Sequence, residues 1–356
     1  MAVPSTLRAY GCEQRSEPAQ LTQKEAKAAS VPSTFRAYQY EKFGSPDCEL
    51  RLRESVPTSR LEATQLRIKV HSAALNPADQ KIMQDFGLAI TGRQPSAEAP
   101  FGMGFDVAGT VVETGDNVTQ FKEGDAVYAM APFSSFGTFA EYVAIEEQFV
   151  ALKPENVTFE EAASVPYTAL TSYQALFEHA SLKEGERVLI LGGSTATGSV
   201  AVQLARAMGA FVIATAIGCQ DYLLVESLGA NQVIDVSRQK WANVVDAHSV
   251  DVMYDCGVER KAWNYDAQAA LKKDSGRYVT INPMMQPRAA KFGAKCIGEI
   301  MVHPSAEQLR ELSSFIESGA LKPVVDSVYS FERLLPALEK LKTKKARGKV
   351  VLRAAY

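Results

Sequence analysis

One stretch of the chain constrains the fold more than any other: an apolar run that enters a turn of small residues and continues into a helical pattern. It runs Val188-Leu-Ile-Leu-Gly-Gly-Ser-Thr-Ala-Thr-Gly198, followed by Ser199-Val-Ala-Val-Gln-Leu-Ala205. A strand, a small-residue turn and a helix in this order aim backbone N–H groups and a helix N-terminus at a pyrophosphate. Thr195 stands where the usual pattern has a glycine, so the placement between strand and helix carries the prediction. An ordinary tight turn is the alternative.

The sequence around this turn alternates strand-like apolar runs with helical stretches. The strand-like runs are 188–191, 211–215, 233–234, 250–254 and 278–281, and the helical stretches between them are 200–208, 222–228, 241–245 and 263–271. Apolar strands separated by helices indicate a parallel sheet that is covered on both faces. The predicted fold class is therefore α/β, with a doubly wound parallel sheet of the Rossmann kind that binds a dinucleotide.

The part of the chain before this region, from about residue 34, has a different pattern. Short strands such as Leu66-Arg-Ile-Lys-Val70 alternate with period two and are separated by glycine-containing turns, which favours a mostly antiparallel, barrel-like β domain. Further strands are predicted over 106–112, 125–130 and 139–143. After residue 300, a helix over 306–317 precedes a strand–helix–strand tail, which we expect to return to the β domain. The predicted domains are 34–157 plus 300–356 for the β domain and 158–299 for the dinucleotide-binding domain.

Residues 1–33 are expected to form an N-terminal extension. Val3-Pro-Ser-Thr-Leu-Arg-Ala-Tyr10 recurs as Val31-Pro-Ser-Thr-Phe-Arg-Ala-Tyr38, but two copies are too few for a repeat architecture. The segment mixes acidic with basic residues and lacks the apolar core of a secretory signal. We therefore expect a cytoplasmic protein.

Composition excludes several classes of function. The 356-residue chain is 46% hydrophobic and carries a net charge of −3, so it has enough apolar residues for two domains but no basic field for nucleic acid or anionic lipid. Its five cysteines are scattered, which is typical of reduced thiols. No apolar run is long enough to span a membrane. The expected partners are thus a small-molecule substrate and a second copy of the chain, with no nucleic acid and no membrane.

Several ordered motifs carry a resemblance to a known family. They are Asn76-Pro-Ala-Asp79, Gly104-Phe-Asp-Val-Ala-Gly109, Gly124-Asp-Ala-Val-Tyr128, Gly137-Thr-Phe-Ala-Glu-Tyr142, Ala162-Ala-Ser-Val-Pro-Tyr-Thr-Ala169 and Arg347-Gly-Lys-Val350. The chain resembles the medium-chain dehydrogenase/reductase superfamily over residues 34–356, and within it the zinc-free quinone oxidoreductase and alkenal (enone) reductase branch. The resemblance implies a GroES-like β-barrel catalytic domain beside the Rossmann domain, and an NADPH-dependent oxidoreductase.

The resemblance also implies that the protein holds no metal. Where zinc-dependent relatives have their cysteine and histidine ligands, this chain has Asn76, Phe105 and Tyr167 or a near neighbour, none of which supplies a zinc ligand of the usual kind. Without a Lewis acid, the expected acceptor is already electrophilic, such as a quinone or an α,β-unsaturated carbonyl. Hydride transfer would then depend on proximity within a cleft that excludes water.

Site residues follow from the matched motifs. Asn76 is predicted to lie beside the nicotinamide, where it is a candidate catalytic residue. Tyr167 is the other candidate, facing the substrate, although a packed aromatic at the domain hinge is the alternative. The predicted cofactor-binding residues are Asn76, Thr168, Gly193, Ser194, Thr195, Ala196, Thr197, Gly198, Gln220, Arg238, Cys256, Gly257, Ile281, Asn282 and Lys349. Hydroxyl groups of Ser194, Thr195 and Thr197 could also donate hydrogen bonds to the phosphates.

The choice between NADPH and NADH depends on the end of the second strand. That strand ends Ile213-Ala-Thr-Ala-Ile217 without the acidic residue that binds the ribose 2′-hydroxyl of NADH, which favours NADPH. Gln220 and Val236 stand where relatives have phosphate ligands, and Arg238 is the nearest candidate cation. Asp221 leaves NADH open.

Three other functions stay open at this point. The Gly-Gly-Ser-Thr-Ala-Thr-Gly turn resembles that of trans-acting enoyl reductases, so an enoyl-thioester reductase is the first. A non-catalytic NADPH-binding structural or sensor protein is the second. An RNA-binding role is the third, and the acidic balance argues against it. A homodimer is expected, because the parallel sheet would leave an exposed edge strand near 279–281.

Overall fold

A computed structural model describes residues 31–283 and 286–354. The predicted extension therefore lies outside the described residues up to residue 30, together with the first copy of the repeat. The second copy provides strand β1. Three sheets organise the described residues: one of three strands, one of seven and one of six.

The first half of the chain is mostly strand, with short helical segments. Its strands are β1 (Thr34–Tyr40), β2 (Arg51–Pro57), β3 (Gln65–Ala74), β4 (Phe101–Gly102), β5 (Asp106–Thr114), β6 (Ala126–Met130), β7 (Tyr142–Glu146) and β8 (Val150–Leu152). Its α-helices are α1 (Pro46–Glu49), α2 (Pro77–Lys81), α3 (Gly87–Thr91), α4 (Phe159–Ala163) and α5 (Pro166–Tyr173). Ile82–Phe86 and Gln174–His179 are π-helical, and Glu147–Phe149 is a 3₁₀ turn.

Strands and helices alternate in the second half. Its strands are β9 (Arg187–Leu191), β10 (Phe211–Ala216), β11 (Gln232–Asp235), β12 (Val252–Asp255), β13 (Arg277–Thr280), β14 (Lys295–Glu299), β15 (Val325–Ser330) and β16 (Lys349–Arg353). Its α-helices are α6 (Ala196–Ala207), α7 (Gly218–Ser227), α8 (Gln268–Ala270), α9 (Ala306–Glu317) and α10 (Leu334–Lys342). Trp263–Ala267 is π-helical, and Trp241–Asn243 and Phe331–Arg333 are 3₁₀ turns.

The six-stranded sheet is parallel throughout, in the order β11-β10-β9-β12-β13-β14. Numbered within this region, that is the 3-2-1-4-5-6 order of a doubly wound dinucleotide-binding sheet, and the order reverses at β9. The side chains of Val188, Leu189, Ile190 and Leu191 are completely buried, as strands covered on both faces require. The predicted α/β fold class is confirmed.

The seven-stranded sheet joins distant parts of the chain. Strands β3, β5, β6 and β8 pair antiparallel, and β7 also pairs with β3. Strand β16 pairs antiparallel with β3, and β15 pairs parallel with β16. The C-terminal tail therefore lies in the sheet of the first half, and these pairings support the domain bounds that we propose, 34–157 plus 300–356 and 158–299.

Four local predictions differ from the structure. Strand β14 is a sixth parallel strand that the sequence did not indicate, so the edge predicted near 279–281 is wrong: β14 covers β13 and is itself the outer strand. Helix α7 begins at Gly218 instead of residue 222. The helix predicted over 241–245 is only the 3₁₀ turn Trp241–Asn243. The strand predicted over 139–143 is Tyr142–Glu146.

Candidate active site

The glycine-rich turn between β9 and α6 has the geometry of an anion site. The Thr195 hydroxyl accepts a hydrogen bond from Gly198 N at 3.0 Å and caps α6. The first N–H groups of a helix have no intrahelical partner. Among the described residues, the backbone N–H groups of Ser194, Ala196 and Thr197 donate to no protein acceptor. A twelve-residue helix that presents free N–H groups at a turn of small residues fits a pyrophosphate.

Close packing explains the glycine at the end of this turn. A Cβ built on Gly198 would lie 2.0 Å from the carbonyl oxygen of Gly192, so no larger residue fits. The hydroxyl groups in the turn are mostly used within the protein, contrary to the prediction that three could bind phosphate. Thr195 donates its hydroxyl to Gly192 O, and Ser194 donates its hydroxyl to Asp221. The Thr197 hydroxyl has no partner among the described residues.

The loops that follow β12 and β13 adjoin this turn. A Cβ built on Gly192 would lie 2.8 Å from Val258 Cγ1, and one built on Gly257 would lie 3.4 Å from Ile281 Cγ1. The buried Asp255 carboxylate holds these loops, because it accepts hydrogen bonds from Val258 N, Thr280 Oγ1 and Asn282 Nδ2. The predicted trench residues Cys256, Gly257, Ile281 and Asn282 thus line one edge of the sheet beside the glycine-rich turn.

A buried polar cluster lies where the β domain meets this edge. Asp106 is its centre: one carboxylate oxygen accepts from Tyr167 N at 2.6 Å, and the other accepts from Asn76 Nδ2 at 2.9 Å and Lys349 Nζ at 2.8 Å. The Lys349 ammonium also donates to Asn76 Oδ1 at 2.6 Å. We call Asn76, Asp79, Asp106 and Lys349 the Asp106 cluster. Each is at most 3% exposed.

Asp106 is a candidate site residue that the sequence reasoning missed. An acidic residue at the start of an apolar strand was the available signal, since a buried carboxylate needs a partner. The amide of Asn76 is used at both ends within the cluster, so a contact between this amide and a nicotinamide stays a prediction. Tyr167, Asn76 and Lys349, predicted separately, are brought together by their shared contacts with Asp106.

Asp79 gives the cluster an unusual charge state. Its Oδ2 accepts from Asn76 N at 2.6 Å, but its buried Oδ1 has no hydrogen-bond partner. Burial raises the pKa of this carboxyl to about 8, against the lowering effects of the Asn76 hydrogen bond and the Lys349 charge. The carboxyl is therefore mostly protonated at neutral pH, and the Lys349 charge is balanced by Asp106.

Aromatic side chains form the apolar wall beside this cluster. The ring of Phe105 lies 4.9 Å from that of Phe133, 5.1 Å from Phe136 and 5.7 Å from Tyr167, measured between centroids. Burial raises the pKa of Tyr167 well above its usual range, so the side chain stays a neutral phenol. Its hydroxyl donates to no acceptor within the described part of the chain. A neutral phenol beside flat rings can donate a hydrogen bond to a planar substrate.

The residues at the expected metal positions form this wall and cluster instead. Phe105 is completely buried among the rings, and Asn76 faces the Lys349 ammonium, which repels a second cation. Residues 31–283 and 286–354 contain no group of three or more His, Cys, Asp and Glu side chains that could hold a metal ion.

The segment Arg347-Gly348-Lys349 connects the two halves of the site. Gly348 forms a backbone bridge with Thr195 of the glycine-rich turn, while Lys349 enters the Asp106 cluster. Thr168 is buried in α5, where its hydroxyl donates to backbone carbonyls of Ser164 and Val165. Gln220 and Arg238 are both exposed, no hydrogen bond joins either side chain to the turn among the described residues, and Arg238 pairs with Asp235 at 3.3 Å.

This architecture defines a class: a doubly wound nucleotide-binding sheet joined to a mostly antiparallel β domain, with a glycine-rich turn on the sheet and an aromatic wall beside the Asp106 cluster. Two family models match the chain, an alcohol dehydrogenase GroES-like domain over residues 62–155 and a zinc-binding dehydrogenase domain over residues 228–352. The second description names zinc, but the ligand positions here carry Asn76 and Phe105.

Relatives with assigned names are similar over nearly the whole chain. The 2-methylene-furan-3-one reductase of Solanum lycopersicum is 35% identical over 333 residues, covering 91% of this chain and 80% of that protein. The chloroplastic NADPH-dependent alkenal/one oxidoreductase of Arabidopsis thaliana is 34% identical, covering 91% and 81%. The structure of a quinone oxidoreductase from Coxiella burnetii superposes with a TM-score of 0.80 at 28% identity, covering 90% and 99%.

The chain therefore belongs to the medium-chain dehydrogenase/reductase superfamily, in its zinc-free quinone oxidoreductase branch. It is an oxidoreductase, and its cofactor is a nicotinamide dinucleotide. The resemblance drawn from the motifs is confirmed, as is the combination of a GroES-like and a Rossmann domain. Among the described residues, no helix is both long and apolar enough to cross a membrane.

Proposed function

We propose that this protein is an NADPH-dependent reductase of quinones and α,β-unsaturated carbonyls. The observation that carries the proposal is the aromatic wall of Phe105, Phe133, Phe136 and Tyr167 beside the Asp106 cluster. Flat apolar rings favour a planar acceptor, and a site without metal ligands favours an acceptor that is already electrophilic. The names of the relatives from Solanum and Arabidopsis, both enone reductases, support the same class of acceptor.

In this proposal, the residues of the protein hold the cofactor, position the acceptor and donate a proton to it. The N–H groups of Ser194, Ala196 and Thr197 would hold the pyrophosphate, and the loops after β12 and β13 would enclose the nicotinamide side. Lys349 holds Asn76 and Asp106 at hydrogen-bond distance, so the Asp106 cluster is already formed before a substrate binds. The phenol of Tyr167 would donate a hydrogen bond to the acceptor oxygen. When bound, NADPH supplies the hydride.

Selectivity for NADPH has its own support. Strand β10 is followed by Ile217, which is 68% exposed, where an NADH-selective site places a carboxylate for the ribose 2′-hydroxyl. The nearest carboxylate on α7, Asp221, accepts from Ser194 and is paired with Arg347. The Arg347 guanidinium balances its negative charge, which lowers the repulsion of a nearby phosphate.

A turnover assay tests the function. We expect NADPH consumption with a quinone and an enone, and little with a crotonyl thioester. Tyr167→Phe should lower kcat for enones by roughly 100-fold, the lower end of the range for a proton donor, with a smaller change in KM. Tyr173→Phe is the matched control, because the Tyr173 hydroxyl contacts Glu311. Preference for the thioester would make the protein an enoyl-thioester reductase, and tight NADPH binding without turnover would make it a binding protein.

Two further parts of the proposal concern its surroundings. A homodimer is supported by the outer strand β14, since an unpaired parallel edge is a template for association; a monomeric mass by light scattering at micromolar concentration would contradict it. A cytoplasmic location is supported by the free thiols of Cys48, Cys219, Cys256 and Cys296. Recovery in an organelle fraction, as the name of the Arabidopsis relative would suggest, would contradict that.

A further inference from the structure

The segment that precedes Lys349 places a cation directly beside the glycine-rich turn. Arg347 Nε lies 2.5 Å from Asp221 Oδ1, and Ser194 of the turn donates to Asp221 Oδ2 at 2.7 Å. The backbone of the same segment is fixed twice: Arg347 N donates to Asp326 Oδ1 at 2.8 Å, and Gly348 bridges to Thr195. A chain of contacts thus leads from the turn through one carboxylate to one guanidinium.

This pairing uses only part of the guanidinium. The Nε group of Arg347 donates to Asp221, and 43% of the side chain is exposed. Within the described residues, the two Nη groups of Arg347 donate to no protein acceptor. A guanidinium presents two parallel donors to a phosphate, which makes arginine the preferred residue for bidentate phosphate recognition. Asp221 holds the Arg347 guanidinium at the end of the turn where the adenosine ribose of a dinucleotide lies.

The cation predicted from the sequence has a weaker position. The Arg238 side chain is 80% exposed, and its Nε is 3.3 Å from Asp235 in a pair three residues apart. No contact links this side chain to the glycine-rich turn among the described residues. An exposed side chain without such a contact keeps most of its freedom and loses more entropy when it binds a ligand.

We infer that Arg347 recognises the 2′-phosphate of NADPH and that Asp221 is its positioning residue. This inference depends on the proposed function, because it assumes that the turn binds a dinucleotide. The negative charge of Asp221 is balanced by the Arg347 guanidinium, so it repels the phosphate less than an unpaired carboxylate would. NADP selectivity would then come from a residue on the C-terminal segment, 130 positions beyond Ile217 at the end of β10.

Calorimetric binding of ligands without a nicotinamide isolates this contact. The probes are 2′,5′-ADP, which carries the 2′-phosphate, and 5′-ADP, which lacks it, with NADPH and NADH beside them. Arg347→Gln should weaken 2′,5′-ADP and NADPH by about 30-fold, the loss expected for a charge-assisted phosphate contact, and leave 5′-ADP and NADH within about threefold. Asp221→Asn should keep the preference for the 2′-phosphate, because the amide can still hold the guanidinium while a negative charge is removed.

Arg353→Gln is the matched control. Arg353 also pairs through Nε with a carboxylate at 2.5 Å, on Glu160, and lies six residues further along the same segment. We expect unchanged affinity for all four ligands in this variant.

Three outcomes would overturn the inference. Equal weakening of 2′,5′-ADP and 5′-ADP in Arg347→Gln would show that Arg347 only supports the turn. If Arg347→Gln leaves the affinity for 2′,5′-ADP unchanged and Arg238→Ala weakens it, Arg238 and not Arg347 recognises the 2′-phosphate. Loss of NADH binding in Asp221→Asn, with 2′,5′-ADP unaffected, would make Asp221 a ribose ligand. The proposed function fails separately, if the unaltered protein binds neither NADPH nor NADH.

Discussion

Two ion pairs on one short segment differ in almost every physical respect. Lys349 is buried, with 4% of its side chain exposed, and pairs with a completely buried Asp106. Arg347, two residues earlier, is 43% exposed and pairs with Asp221. A buried charge that loses its partner leaves the other uncompensated, whereas an exposed pair gains little from its contact. The segment therefore combines a fixed anchor with a side chain that can take a new partner.

The largest expected effect comes from breaking the buried pair. Lys349→Met should lower the free energy of unfolding by about 4 kcal/mol, because Asp106 stays buried without its cation. Urea denaturation measures this. Adding Asp106→Asn should recover part of the loss, since the uncompensated charge is removed. If Lys349→Met lowers the free energy of unfolding no more than Arg347→Gln does, the proposed difference between the buried and the exposed pair is wrong.

A pH series sharpens the buried side of the comparison. Because the pKa of Asp79 is raised to about 8 in the folded protein, against about 3.9 when unfolded, the unfolded state ionises first as pH rises. The contribution of Asp79 to the free energy of unfolding is therefore greatest below pH 4, falls between pH 4 and pH 8, and is lowest above pH 8. Asp79→Asn should remove this fall, and its free energy of unfolding should exceed that of the parent protein by on the order of 5 kcal/mol at pH 8.5, since about four pKa units separate the folded and unfolded states.

Thermal or urea unfolding at pH 4.5 and 8.5 provides the measurement. Asp125→Asn is a suitable control, because Asp125 likewise accepts from a backbone N–H, that of Lys122, but in an exposed turn. The difference between Asp79→Asn and the parent should grow from pH 4.5 to pH 8.5 by far more than that of this control. An Asp79→Asn difference that does not grow with pH would show that the carboxyl is ionised in the folded state.

The smallest effect on stability is expected at the exposed pair. Arg347→Gln should change the free energy of unfolding by less than about 1 kcal/mol, although it weakens 2′-phosphate binding. Measuring stability and affinity on the same preparation separates the two roles. A loss of stability as large as that of Lys349→Met would show that Arg347, too, is structural.

The fold was largely predictable from local sequence. Continuous apolar runs such as 188–191 and the helices between them indicated a parallel sheet, because burial on both faces leaves a pattern that is visible in one segment. Strand β14 was missed for the opposite reason. Its sequence Lys-Cys-Ile-Gly-Glu has exposed ends and an interior glycine, and it becomes a strand by pairing with β13.

The site was predictable in its turn but not in its charges. The small residues at 192–198 predict a phosphate-binding turn from local sequence alone, since only small side chains let a phosphate reach the backbone. The Asp106 cluster depends on contacts across 30 to 273 positions, and no local pattern records which lysine will meet which aspartate. Asp221 was not predicted to lie in a helix. No strong N-capping residue precedes Gly218, where α7 begins, so the sequence did not indicate the start of this helix.

The 243 positions between Asp106 and Lys349 also set an order of events during synthesis. At an elongation rate of about 5 to 20 residues per second, the carboxylate is made roughly 12 to 50 seconds before its cation. Strands β3 and β5 can pair in that time, but Asp106 must stay hydrated until β16 is translated. A nascent chain therefore carries the glycine-rich turn well before β16 completes the Asp106 cluster.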